Sequence, residues 1–172
     1  MIELTRFIRD IPDFPKQGIL FKDITPLLRE PKAFSYAVET LAEHHRGERI
    51  DAVAAVESRG LIFGGALALR LGAGFIPIRK PGKLPHRTVS ESYSLEYGTD
   101  AIQMHTDAVV KGDRILIVDD LLATGGTARA AVNLVARLGG EVAGASFVIE
   151  LGFLGGRARL GAVPVFALIK YD

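Results

Sequence analysis

The chain has 172 residues, which is enough for one domain with a full hydrophobic core. Hydrophobic residues make up 48% and charged residues 24%, as in a soluble globular protein, and the net charge of +1 excludes a general binder of nucleic acids or membrane surfaces. The absence of cysteine excludes disulfides, thiol chemistry and zinc–thiolate sites.

The N-terminus mixes charged and apolar residues and does not resemble a signal peptide. No apolar run approaches the ~18 residues that a membrane-spanning helix needs. We therefore expect a cytoplasmic enzyme or binding domain.

The first thirty residues carry several prolines. Residues 2–10 are predicted to form a short helix with apolar side chains on one face. Prolines and a glycine interrupt any helix over residues 11–26, so we predict an ordered loop there with its apolar side chains turned inward. A helix with an apolar stripe follows over residues 31–46.

A buried strand at residues 51–56 begins a strand–loop–helix unit. It runs into Glu57, Ser58 and Arg59, and a helix is predicted over residues 61–71. In an open α/β sheet, ligands bind outside the carboxyl ends of the strands. The loop therefore puts charged and polar side chains where a ligand is expected.

A further strand at residues 75–78 leads into a cationic run that contains Arg79, Lys80 and Lys83. We interpret this run as an electropositive rim, which steers and neutralises a substrate with several phosphate charges. The following residues, 84–101, show little periodicity. A loop of this length in a compact domain is typical of a lid.

The pattern that organises the chain lies at residues 115–127. Four aliphatic residues predict a strand buried on both faces, and the carboxylates Asp119 and Asp120 follow it directly. These acids must face something other than a phosphate. A sugar diol, a magnesium ion or a developing positive charge would each satisfy them.

A small-residue turn then opens a helix, which Gly139 and Gly140 end. Unpaired backbone N–H groups and the positive end of the helix dipole make such a turn a pocket for a phosphate monoester. Threonine hydroxyls add donors. The turn consists of Ala123, Thr124, Gly125, Gly126 and Thr127.

Residues 102–110 are predicted to resume the sheet or to form a short helix, and two further strands are predicted at 142–149 and 163–169. The alternation of strands and helices predicts a single α/β domain over residues 1–172. It has three layers around a mainly parallel sheet of about five strands flanked by helices. We expect a small N-terminal hood at about 1–30 and a flexible lid loop at about 80–101.

The run VDDLLATGGT resembles the 5-phosphoribosyl 1-pyrophosphate (PRPP) binding motif of type I phosphoribosyltransferases. Its Leu-Leu-Ala-Thr-Gly-Gly form is most similar to the adenine phosphoribosyltransferases. Two other strings resemble the same family: FPKQGILFKDIT is similar to its base-binding hood, and SYSLEYG to its catalytic loop. The resemblance covers nearly the whole chain and implies the type I phosphoribosyltransferase fold.

The resemblance implies transfer of the 5-phosphoribosyl group from PRPP to N9 of adenine, with AMP and pyrophosphate as products. The turn Ala123–Thr127 would bind the 5′-phosphate, and Asp119 and Asp120 the ribose hydroxyls. The pyrophosphate would be held by Ser58, Arg59, Lys80 and Lys83. Mg²⁺ is implied as the cofactor, bound mainly through PRPP, and a homodimer as the assembly.

For the base, the resemblance implies that Leu20 offers backbone groups to the purine edge and that Phe21 and Leu151 pack on its two faces. Lys22 would lie near a ring nitrogen, where family members often carry arginine. Glu96 would be the catalytic acid/base near N7, and Tyr97 would help to close the lid.

Three alternatives share parts of this pattern. Phosphoribosyltransferases for xanthine, hypoxanthine or orotate carry the PRPP motif with different base-binding loops. A PRPP-sensing regulator keeps the fold without turnover. A dinucleotide or nucleoside-triphosphate binder is disfavoured, because neither G-x-G-x-x-G nor G-x-x-x-x-G-K-[ST] occurs in the sequence.

Overall fold

A computed structural model of the chain describes residues 2–94 and 98–172. The strands in these ranges are β1 (Arg9–Pro12), β2 (Leu20–Asp23), β3 (Ala52–Val56), β4 (Gly74–Ile78), β5 (Thr88–Ser94), β6 (Thr99–His105), β7 (Arg114–Leu122), β8 (Glu141–Leu151) and β9 (Val165–Tyr171). The α-helices are α1 (Thr25–Arg29), α2 (Pro31–His44), α3 (Gly60–Leu71), α4 (Gly126–Arg137) and α5 (Gly156–Leu160). No helix in the described ranges is long and apolar enough to cross a membrane.

Five strands form the central sheet in the order β4-β3-β7-β8-β9, and every neighbouring pair is parallel. Alternate side chains of a strand face opposite sides of a sheet, so each strand contributes to two cores. On β7, Leu116 and Val118 pack with α2 and α3, whereas Ile115 and Ile117 pack with α4. The predicted three-layer α/β fold with a five-stranded, mainly parallel sheet is confirmed.

The strongly patterned elements lie where the sequence predicts them. Residues 115–118 of β7 are all buried, as expected for a strand covered on both faces. Helix α4 turns an apolar stripe to the sheet and ends at Arg137. Gly139 follows with a φ of +88°, a conformation that favours glycine after a helix.

The N-terminal hood differs from its prediction. The short helix predicted over 2–10 is only a 3₁₀ turn at Leu4–Phe7, and the loop predicted over 11–26 contains strand β2. Strands β1 and β2 pair as an antiparallel hairpin. The prolines do exclude a helix, but they fit the edge of a two-stranded ribbon, which the prediction missed.

In the described part of the segment predicted as a lid loop at 80–101, the structure has two strands. Strands β5 and β6 form an antiparallel hairpin outside the central sheet, and the open question over 102–110 resolves as strand up to His105. Ile102 and Met104 of β6 are fully buried. On β5, Glu91 Oε1 accepts a hydrogen bond of 2.8 Å from Asn133 Nδ2, which ties the hairpin to α4.

Candidate active site

The carboxyl ends of β3, β4 and β7 meet at one edge of the sheet, where they border a cavity of about 320 Å³. The predicted convergence of separate motifs on one crevice is therefore present in the fold. The cavity is lined by Val56, Glu57, Ser58, Arg59, Lys80, Tyr93, Asp119, Asp120, Leu121, Ala123 and Thr127.

The glycine turn after β7 surrounds a smaller hollow of about 70 Å³, lined by Asp119 and residues 121–128. Gly125 precedes the first residue of α4 and has a φ of +80°, which a side chain would strain. The free N–H groups of the first helical turn lie at this point. Together with the positive end of the helix dipole, they form a site for a dianionic phosphate.

Helix α5 supports this turn from behind through glycine contacts. A Cβ placed on Gly125 would lie 2.4 Å from the carbonyl oxygen of Gly156. A Cβ on Gly156 would lie 2.2 Å from the carbonyl oxygen of Ala123. Real Cβ atoms do not approach so closely, so the contact requires glycine on both sides and fixes the shape of the turn.

The acid pair at the end of β7 is held from both sides. Asp120 Oδ2 accepts a hydrogen bond of 2.5 Å from Arg59 Nε, and Asp119 Oδ1 accepts one of 2.8 Å from the backbone N–H of Asp120. Gly60 lets the start of α3 approach, since a Cβ there would lie 2.6 Å from Asp119 Oδ1. Burial of the carboxyl group, reinforced by the neighbouring Asp120 charge, raises the pKa of Asp119 well above its usual value.

Two of the three cations predicted to bind pyrophosphate are paired with carboxylates. Arg59 pairs with Asp120, and Lys80 pairs with Asp100. Ser58, Arg59 and Lys80 all line the cavity. The predicted ligand Lys83, in contrast, is exposed on a turn and does not line the cavity.

Arg79, from the same cationic run, donates from Nε to Glu57 Oε2 at 2.5 Å. This pair joins the ends of β3 and β4 and fixes Glu57, which follows β3 directly. The peptide between Glu57 and Ser58 is cis.

The hood reaches the same edge of the sheet. The guanidinium carbon of Arg59 lies 5.1 Å from the ring centroid of Phe21, and Phe14 contacts that ring edge-to-face at 5.1 Å. Leu20 is half-exposed beside them. Phe21 therefore lies next to the loop that is predicted to hold pyrophosphate.

Lys22 is not free to meet a ligand in this structure. Its Nζ donates to Asp10 Oδ1 at 2.7 Å and lies 4.1 Å from the ring centroid of Tyr171. Tyr171 pairs with Leu151 across strands β9 and β8. The predicted base contacts Lys22 and Leu151 therefore both adjoin Tyr171.

Two predicted residues, Glu96 and Tyr97, lie outside the described residues. Two others line or border the site but were missed by sequence reasoning: Tyr93, which lines the cavity, and Asp100, which binds Lys80. Half-buried Val89, Glu91 and Tyr93 alternate with exposed serines along β5, but Glu91 interrupts the apolar face, so the local signal for this strand is weak.

The residues present fit a magnesium ion that is bound mostly through a substrate. In the described ranges there is no group of three or more His, Asp or Glu side chains that could hold a metal by themselves. The carboxylates of Asp119 and Asp120 do line the cavity. Mg²⁺ commonly uses one or two carboxylates together with phosphate oxygens and water.

Comparison with known proteins gives a consistent family match. The family model described as "Phosphoribosyl transferase domain" matches residues 25–156. An adenine phosphoribosyltransferase of Maridesulfovibrio salexigens is 55% identical, over 98% of this chain and 99% of its own length. That of Methylobacterium sp. (strain 4-46) is 59% identical, over 96% of this chain and 92% of its own.

Solved structures give the same result. The crystal structure of adenine phosphoribosyltransferase from Thermoanaerobacter pseudethanolicus has a TM-score of 0.96 at 55% identity and covers 98% of both chains. That from Saccharomyces cerevisiae, complexed with adenine and an imino-altritol bisphosphate, has a TM-score of 0.91 at 42% identity and covers 96% of both.

Proposed function

The chain belongs to the adenine phosphoribosyltransferase family, and from that premise we propose that it carries out the family's reaction in purine salvage. It transfers the 5-phosphoribosyl group of PRPP to N9 of adenine and releases AMP and pyrophosphate. One observation carries the proposal: the Ser58–Arg59 loop lies about sixty positions before the acid pair and the glycine turn in the sequence, yet all three border one cavity.

The glycine turn anchors the 5′-phosphate and thereby fixes C1 of the ribose. Backbone N–H groups of residues 124–127 and the hydroxyls of Thr124 and Thr127 supply the donors. Asp119 and Asp120 accept hydrogen bonds from the ribose hydroxyls. Because breaking the C1–O bond builds positive charge on the ribose, the same carboxylates also stabilise the transition state.

The leaving pyrophosphate gains negative charge as the bond breaks. This charge is stabilised at the ends of β3 and β4 by Arg59, Ser58 and Lys80. Lys83 lies outside the cavity lining, so it would contact pyrophosphate only after the predicted lid loop closes. Mg²⁺ bound through PRPP would supply further charge neutralisation there. Holding both ends of PRPP keeps C1 in line with the attacking base.

Adenine lies between the hood and the end of β8. Phe21 and Leu151 would cover its two faces, while the backbone of Leu20 would read its edge. Lys22 would reach a ring nitrogen only by leaving Asp10. The acid/base role of Glu96 near N7 and the closing role of Tyr97 stay predictions from the family resemblance.

We further propose a homodimer that forms through α3 and the edge strand β4. Ile62 and Leu69 lie seven residues apart on one face of α3 and are 44% and 86% exposed, and Phe75 on β4 is 42% exposed. Phe75 lies against α3 beside Gly64. An apolar face next to a sheet edge fits a second copy, since association covers both.

Sedimentation of Leu69→Lys tests the dimer. We expect association at least about tenfold weaker than that of the unmodified protein, because burying the lysine charge in an apolar interface is costly. Val110→Lys is the matched control, since Val110 is 69% exposed on the loop before β7. A monomeric unmodified protein, or an unaffected Leu69→Lys dimer, would overturn this assembly.

The cytoplasmic location stays a prediction.

The reaction is tested by incubating the protein with PRPP, Mg²⁺ and adenine and quantifying both products. Equal amounts of AMP and pyrophosphate are expected. Tight PRPP binding without AMP would instead identify a non-catalytic PRPP-binding protein.

A further inference from the structure

Lys80, at the wall of the cavity, hydrogen-bonds to two other side chains. Its Nζ donates to the hydroxyl of Tyr93 at 3.1 Å and to the carboxylate of Asp100. The Tyr93 hydroxyl in turn donates to Asp100 Oδ2 at 3.2 Å. The three side chains form a closed triangle between the cationic run after β4 and the β5–β6 hairpin.

Asp100 differs from the other two carboxylates that pair with cations of this region. Glu57 and Asp120 line the cavity, so a ligand meets each of them together with its cation. Asp100 stands behind Lys80 on β6 and is not among the lining residues. Its second oxygen, Oδ1, accepts a hydrogen bond of 2.8 Å from the backbone N–H of Ala101, which fixes the carboxylate.

The cavity is poor in free positive charge. Its described lining contains two cations, Arg59 and Lys80, and three carboxyl groups, those of Glu57, Asp119 and Asp120. Both cations are already paired. An incoming pyrophosphate group must therefore compete with Asp100 for Lys80 in order to interact with the full positive charge of the lysine.

Lys80 and Asp100 remain an ionic pair at neutral pH. Burial acts to lower the pKa of Lys80, but the hydrogen bonds with Asp100 and Tyr93 outweigh it and raise that pKa. The hydrogen bond from Lys80 lowers the pKa of Asp100. Both side chains are about one-third exposed, so solvent screens the pair only in part.

We propose that Asp100, supported by Tyr93, is an internal counter-ion that competes with pyrophosphate for Lys80. This competition lowers the affinity of the enzyme for pyrophosphate. The inference rests on the proposed function, in which Lys80 binds pyrophosphate. When pyrophosphate leaves, Lys80 pairs with Asp100 again, so the empty site does not hold an unpaired lysine. A carboxylate behind the cation thus favours turnover over tight product binding.

Calorimetric titration with magnesium pyrophosphate tests the inference in Asp100→Asn. The amide keeps the size of the side chain but removes its charge, so we expect binding roughly threefold to tenfold tighter. Tyr93→Phe should tighten binding by a smaller factor, because only the supporting hydroxyl is lost. A general disturbance of the site would weaken pyrophosphate binding rather than tighten it.

Asp107→Asn is the matched control. It makes the same substitution on the exposed turn after β6, where Asp107 only approaches His86 at 4.0 Å. If Asp100→Asn binds pyrophosphate as the unmodified protein does, or more weakly, Asp100 positions Lys80 for the ligand and the inference is wrong. Because binding is measured directly, this result is independent of adenine turnover, whose absence would refute the proposed function instead.

Discussion

Arg59 and Asp120 are 61 positions apart in the sequence, yet Arg59 Nε donates to Asp120 Oδ2 at 2.5 Å. The pair joins the loop after β3, which is proposed to hold pyrophosphate, to the acid pair proposed to hold the ribose. Asp120 is only 8% exposed, so Arg59 is its main compensation for burial. This contact therefore links the two halves of the proposed PRPP site.

Replacement of Arg59 by alanine is expected to lower stability and PRPP use together. It leaves the buried Asp120 unpaired and removes a donor to pyrophosphate, so we expect a loss of about 3 kcal/mol in unfolding free energy and at least about tenfold in kcat/KM for PRPP. Urea unfolding and steady-state kinetics measure the two effects. Arg46→Ala, which breaks an exposed pair with Glu43, should change neither by much.

Asp119→Asn should make the protein more stable and less active at neutral pH. Since the native pKa of Asp119 is raised above the unfolded value, the native state binds more protons across the interval between them, and its stability falls as pH rises through that interval. Above that interval, the carboxylate is charged in both states, and the native state carries the cost of its partial desolvation. We expect Asn to raise Tm by roughly 2–4 °C at pH 7.5, with the gain shrinking towards pH 4.

The same variant should lose at least about tenfold in kcat/KM for PRPP, because a charged hydrogen-bond partner of the ribose becomes neutral. Thermal unfolding across pH and kinetics at pH 7.5 provide the measurements. A Tm gain that does not change with pH would show that the stabilisation has another source than the carboxyl charge.

Gly156→Ala is expected to damage the phosphate site without touching the ligand. The added methyl group would lie 2.2 Å from the carbonyl oxygen of Ala123, so the glycine turn must move. We expect KM for PRPP to rise by at least about tenfold and stability to fall by about 1–3 kcal/mol. Ala158→Ser, on an exposed position of the same helix, adds one heavy atom and should leave KM unchanged.

The Glu91–Asn133 hydrogen bond should control how firmly the β5–β6 hairpin is docked on α4. Asn133→Ala removes the 2.8 Å bond and should speed amide hydrogen exchange across β5 by roughly fivefold. Glu91→Gln keeps an acceptor oxygen and should exchange like the unmodified protein. Equal exchange in all three proteins would mean that apolar packing alone docks the hairpin.

The core of the fold could be predicted because its signals are local. Residues 52–56 and 115–118 are short apolar runs between polar residues, and such runs predict strands buried on both faces whatever the rest of the chain does. The hairpins were harder. In β1 and β5, apolar and polar side chains alternate only weakly. Each of these strands is specified more by the strand it pairs with than by its own sequence.

The site could be predicted in part for the same reason. The glycine turn and acid pair are contiguous, so one string predicts both. Asp100 and Tyr93 become part of the site only through the pairing of β5 with β6, and no local pattern indicates that Asp100 meets Lys80, twenty positions earlier. The engagement of Lys22 by Asp10 likewise depends on a cross-strand register that was not predicted.

The most direct test of the central claim is the comparison of kcat/KM for adenine, hypoxanthine, guanine, xanthine and orotate at saturating PRPP and Mg²⁺. A base site that pairs with the edge of adenine leaves its polar groups unpaired when a 6-oxopurine or a pyrimidine binds, so we predict at least about a hundredfold preference for adenine. Comparable or greater activity with another base would contradict the account, since the PRPP site would stand while the hood would have been assigned the wrong base.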